Sequence, residues 1–129
     1  MTLRLTAVAL ALALAAPAIT VAQVGGEAQF LETCAACHQP SGQGIKGAFP
    51  ALAGDAFVVG DPQAVTATVL NGRGGMPAWK VDLNDAQIAA AITYIRSAWG
   101  NKASPVTEAM VAAERAKSAP TTARGAQAH

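Results

Sequence analysis

The only two cysteines of the chain and one of its two histidines fall within five residues, "CAACH", as Cys34, Cys37 and His38. Those side chains at that spacing support three chemistries. The pair can exchange between dithiol and disulfide, the three can contribute to a metal site, or the thiols can add to the vinyl groups of a haem while the histidine reaches its iron. A redox dithiol of the thioredoxin kind sits at the start of a helix in a βαβ pattern, and this sequence has no convincing strand alternation. A structural zinc needs four ligands, and beyond these three only His129 is of a usual soft type. The haem reading needs only what is present: two thiols one helical turn apart and an adjacent imidazole.

An iron held by His38 on one face needs a partner on the other. His129 is the final residue, Met1 belongs to an expected export signal and Met110 lies in the tail, which leaves Met76 in "NGRGGMPAW". The glycines there allow backbone to approach a flat group closely, and Pro77 stiffens the exit.

These residues must be positioned by helices and loops. "GGEAQFLETCAAC" reads as a helix leading into Cys34, with Gly26, Phe30 and Cys34 on one face. From His38 to Gly60 the density of glycine and proline indicates irregular chain. Asp61 as N-cap and Pro62 as first helical residue open a second helix that ends at Asn71-Gly72. Asn84 and Gln87 form a capping-box pattern for a third, along which Ile88, Ala91, Ile92, Ile95 and Trp99 fall at helical spacing before Gly100.

Ahead of this lies Arg4, an apolar run and the small residues around Ala22, the layout of a cleavable secretory signal over residues 1–22. All six aromatics lie between residues 30 and 99, so the folded domain is expected over 23–100, with 101–129 a C-terminal extension. In that extension Ser104-Pro105 opens a short helix through Lys117, followed by a disordered tail from residue 118. A domain this small is expected to be helped by a disulfide, a metal or a large cofactor. Its formal charge is −2 over 23–100 and +2 beyond, with no clustered basic face, which argues against nucleic-acid binding.

In the order Gly26/Phe30, "CAACH", "GAFPALAG", "NGRGGMPAW" and "AAAITYIRSAW", the chain resembles a small bacterial class I cytochrome c. The resemblance implies an all-α fold of three to four helices around one covalently bound haem c. It implies thioethers at Cys34 and Cys37 and iron ligation by His38 and Met76. Pro50 sits where the family's proline carbonyl accepts the Nδ1 proton of the ligand histidine. Gly26 and Phe30 would cross the last helix near Ala91 and Tyr94.

An iron with both axial positions filled by protein favours electron transfer over catalysis or gas binding, and methionine raises its potential. Phe49, Leu52, Phe57, Val65, Val69, Leu70, Trp79, Ile88, Ile92 and Ile95 are candidates for a dry shell. The Trp79 indole is read equally well as a donor to a haem propionate or as a packing aromatic. Arg73 is expected to be a solvent-facing loop charge. A rim of small or uncharged residues, Ala35, Ala36, Gln39, Gly44 and Ile45 with Gly74, Gly75, Pro77 and Ala78, suits brief contact with a redox partner.

The expected function is periplasmic single-electron transfer between redox proteins, a dehydrogenase or terminal oxidase among them, with no small-molecule substrate of its own. Membrane contact would come through a partner or an uncleaved signal. "VLNGRGGMPAW" and "TYIRSAWGN" also resemble haem subunits of bacterial dehydrogenases and oxidases, so a subunit role is the alternative. A haem sensor or peroxidase would require Met76 to leave the iron.

Overall fold

The computed structural model describes residues 21–118, with six helices and no strand among them. The expected signal up to residue 20 and the expected disordered tail from residue 119 lie outside the described residues. No helix among the described residues is long and apolar enough to cross a membrane.

Four helices carry the architecture: α1 (Val21–Thr33), α4 (Pro62–Asn71), α5 (Asp85–Ser97) and α6 (Glu108–Ser118). Two single-turn helices, α2 (Ala35–His38) and α3 (Ala56–Val59), lie between α1 and α4. The caps act as the sequence indicates. The Asp61 carboxylate accepts from the Gln63 N–H at 2.9 Å with Pro62 in the first turn, and Asn84 and Gln87 exchange reciprocal bonds of 2.9 and 3.0 Å. Within the segment expected to be irregular, Asp55 caps α3 by accepting from the Val58 N–H at 3.0 Å, a local bond that gives one turn of helix.

The core rests on the crossing of α1 over α5. A Cβ at Gly26 would lie 2.4 Å from the Ala90 carbonyl oxygen and 3.0 Å from the Tyr94 Cβ, so only glycine permits this approach. One turn on, Phe30 is fully buried, its ring centroid 5.5 Å from Tyr94 and 5.1 Å from Trp99. Such aromatic pairs add about 0.5–1.5 kcal/mol each beyond burial.

Trp99 does not continue α5 as its spacing suggests. The helix ends at Ser97, and Trp99 turns into left-handed backbone (φ 53°). Its ring meets Tyr94 edge-on at 5.5 Å and its indole N–H donates to the Pro40 carbonyl at 3.2 Å. Tertiary packing draws the residue off the helix path.

Residues beyond 100 join the same core. Asn101 is buried, and Val106 and Val111 belong to the buried apolar set with Phe30, Leu70, Ile88 and Ile92. The helix expected from Ser104 starts at Glu108 instead, with the Thr107 hydroxyl accepting from the Met110 N–H at 3.2 Å. Residues before it are spent on tertiary bonds: the Thr93 hydroxyl bridges both the N–H and the carbonyl of Val106 at 3.0 Å. α6 then packs across α4 and α5.

Candidate haem-binding site

α1 stops at Thr33, but the Cys34 N–H still donates to the Phe30 carbonyl at 2.8 Å, so the thiols inherit the orientation of a helix anchored in the core. The Cys34 carbonyl accepts from Cys37 at 3.2 Å and from His38 at 3.0 Å, which curls the motif into the single turn of α2. Side chains three residues apart on such a turn share a side. Both cysteines are free thiols. Burial, reinforced by the neighbouring Cys37, pushes the Cys34 thiol up to about 11, the reverse of the lowered value a dithiol nucleophile requires.

The loop after His38 folds back on it. Gly44 donates to the His38 carbonyl at 2.9 Å, Ile45 and Phe49 pair backbone to backbone at 2.8 Å in both directions, and the chain then delivers Pro50. The His38 Nδ1 lies 2.9 Å from the Pro50 carbonyl oxygen. A carbonyl only accepts, so Nδ1 carries the proton and the lone pair stands on Nε2. Farther on, the buried Asn101 amide donates to the Leu52 carbonyl at 3.0 Å and accepts from the Gly54 N–H at 2.8 Å, tying this loop to the end of α5.

Met76 sits in a second loop, closed by paired bonds with Arg73: Met76 N–H to the Arg73 carbonyl at 3.0 Å and Arg73 N–H to the Met76 carbonyl at 3.2 Å. Trp79 and Lys80 then donate to the carbonyls of Val69 and Leu70 at 3.1 and 3.2 Å, fastening the exit to α4. Met76 and Trp79 are half-buried, and the Trp79 indole N–H has no hydrogen-bond partner among the described residues. Arg73 is exposed, its guanidinium 5.4 Å from the Phe57 ring centroid.

Of the expected apolar shell, Val65, Leu70, Ile88, Ile92 and Ile95 are buried and Leu52 and Val69 are packed against them. Phe49 and Phe57 remain open to water at 38% and 40% exposure, as does Ile45 at 45%. The expected rim needs one correction. Ala35 is only 7% exposed and belongs to the core, because it points along the buried side of the α1–α2 turn, whereas Ala36 faces outward. Among the described residues no three His, Cys, Asp or Glu side chains converge as they would on a metal.

Paired thiols, an imidazole with its lone pair on Nε2, a thioether on a tight loop and apolar side chains left wet fit a haem. A family model described as cytochrome c oxidase, cbb3-type, subunit III matches residues 22–95, more than half of the chain. The chain belongs to this family of cytochrome c domains.

This cytochrome c is 33% identical over 117 residues to the cytochrome c subunit of a quinone alcohol dehydrogenase from Gluconacetobacter polyoxogenes, covering 81% of this chain and 25% of that protein. It is 37% identical over 84 residues to the cbb3-type oxidase subunit CcoP of Azospirillum brasilense, covering 60% and 28%. With cytochrome c-552 of Thermus thermophilus it shares 35% over 98 residues, 64% of this chain and 66% of that one. The chain thus spans about a quarter of the length of the first two relatives. As a cytochrome c domain it is an all-α, haem c-bearing electron-transfer protein.

Sequence reasoning did not find Asn101, Arg96 or Arg115, which fix the loops. In the longest cases their partners lie 35 to 49 residues away along the chain, and no local pattern signals such bonds.

Proposed function

We propose that this cytochrome c carries single electrons on one haem, joined through Cys34 and Cys37 and ligated by His38 and Met76. The observation that carries the reading is the His38 Nδ1 bond to Pro50, which leaves the Nε2 lone pair free for a metal, on a residue next to the free thiol of Cys37 and one turn from that of Cys34. Pro50 holds the imidazole in orientation and raises its donor strength. Trp79 is the residue left to donate to a haem propionate. Bound through both faces, the haem supplies a one-electron couple with no open position for a small ligand.

Export through residues 1–22 and work in the periplasm follow from the signal pattern. The partners are redox proteins of the dehydrogenase and oxidase classes, in keeping with the relatives' printed names. Docking of α6 on the protein's own core favours a free carrier, since the helix is thereby committed internally. The subunit reading is kept by the named dehydrogenase and oxidase relatives.

The test is Met76→Ala in the full-length holoprotein. Wild type should show the red methionine-to-ferric absorption band. The variant should lose it, bind carbon monoxide and drop in potential by on the order of 0.1 V, a modest part of the ~0.8 V that axial ligation spans. An unchanged potential, or a wild type without the band, sinks the assignment of Met76.

A further inference from the structure

We infer that Arg115, on α6 and outside the residues matched by the family model, is a positioning residue for Met76, clamping the loop that presents it. The inference rests on the proposed ligation by Met76 and adds what holds that ligand in place.

The exit of the loop has little else to hold it from outside. Lys80, Val81 and Asp82 are all exposed, Val81 at 86%, so no apolar anchor exists between Trp79 and the half-buried Leu83. Backbone bonds to α4 restrain the loop from one side only. From the other side the Arg115 guanidinium spreads over three acceptors. Nη1 donates to the Lys80 carbonyl, Nη2 to the Leu83 carbonyl at 2.9 Å, and Nε to Asp85 at 2.7 Å on the first turn of α5. The planar fork suits this: two arms take the loop while the third is fixed by an ion pair to a helix. A second link reinforces it, from the Asn71 side-chain amide at the end of α4 to the Ser118 hydroxyl at 3.0 Å.

The clamp reaches the ligand through a short lever. Only Pro77, Ala78 and Trp79 separate Met76 from Lys80, and a stretch of four residue steps is at most ~14 Å long, so slack at Lys80 becomes freedom at Met76. Lysine replaces the function only in part, because one ammonium does not span three acceptors held apart.

The experiment compares full-length holoprotein with Arg115→Gln, Arg115→Lys and Val111→Ala, the last removing core packing from the same helix without touching the loop. Imidazole is titrated as a competing iron ligand, the red band is followed on heating, and amide exchange is measured at residues 79–83. In Arg115→Gln the imidazole association constant should rise about tenfold, equivalent to about 1.4 kcal/mol. The band should fade at a temperature below global unfolding, and the amides of residues 79–83 should exchange faster. Arg115→Lys should fall between, and Val111→Ala, though less stable overall, should keep near-wild-type imidazole affinity. Unchanged affinity in Arg115→Gln with the wild-type band intact overturns the clamp alone. An equal rise in Val111→Ala shows a general loosening and also overturns it. Absence of the band from wild type overturns the ligation by Met76 and the clamp with it.

Discussion

At the scale of single residues, Gly72 and Gly74 of "NGRGGMPAW" both take positive φ in the Met76 loop, and Gly72 alone of the three glycines there also faces a close approach of backbone. Gly72 has φ 75° and ψ 170°, backbone that side-chain-bearing residues avoid. A Cβ there would meet the Met76 carbonyl oxygen at 2.6 Å and the Ala78 nitrogen at 3.0 Å. These are backbone atoms, so relief requires moving the loop itself. Gly75 has neither constraint: its φ is not positive and a Cβ would meet nothing within 4 Å. Gly72→Ala should therefore destabilise by roughly 2–4 kcal/mol in denaturant unfolding and weaken the methionine band, while Gly75→Ala should stay within about 0.5 kcal/mol of wild type. A Gly72→Ala protein with wild-type stability and spectrum would contradict the loop geometry. The glycine cluster was legible as a close approach of backbone, but which glycine bears it depends on where residues 76–78 return. The same holds for Ala35 and Ala36: identical side chains, one in the core and one outside, decided by the direction of the α1–α2 turn.

At the scale of elements, the caps of α4 and α5 were readable because donor and acceptor lie within three residues of each other. The far end of α5 was not, because its partners come from elsewhere in the chain. Arg96 in the last turn of α5 reads as an ordinary helix-terminal cation, yet it is only 1% exposed. Its Nη1 donates to the carbonyls of Val58 at 2.7 Å and Gly60 at 3.0 Å, and its Nε to the Ser104 carbonyl at 2.8 Å. One side chain thus satisfies the end of α3, the lead into α4 and the lead into α6. Burial lowers the guanidinium pKa, partly opposed by Asp61, but all its described hydrogen bonds go to neutral oxygens. Replacing a buried charge by an apolar side chain can be harmless when its partners are replaced too. Here the three carbonyls would stay behind, each costing about 1–3 kcal/mol when left unsatisfied. Arg96→Met should therefore lose about 3 kcal/mol or more, read as a lowered denaturation midpoint with an unchanged slope. A variant as stable as wild type would mean that water reaches those carbonyls and that Arg96 does not organise the junction.

At the scale of the whole molecule, the question is where the folded unit stops. The aromatics end at Trp99, which is why the sequence suggests a domain over 23–100, but aromatic content reports only part of a core. The buried apolar set runs on through Val106 and Val111, in an alanine-rich stretch that carries no aromatic residue. The same stretch supplies Ser104 to Arg96 and Arg115 to the Met76 loop. Fully burying a valine contributes at most about 1.5–3 kcal/mol, so the two account for roughly 3–6 kcal/mol as an upper estimate. That is a large part of the ~5–15 kcal/mol by which small domains are stable. A holoprotein ending after Lys102 keeps Asn101 and the haem-bearing segment but loses these contacts. It should unfold with a stability several kcal/mol below that of the full chain and show a weaker methionine band, because the loop clamp leaves with α6. A protein ending after Ser118 retains every contact described and should match the full chain within about 0.5 kcal/mol. If the Lys102 truncation instead melted with the full chain, α6 would be a passenger on the cytochrome surface. A helix released so easily would be free to bind a partner, and the preference for a free carrier over a complex subunit would then reverse.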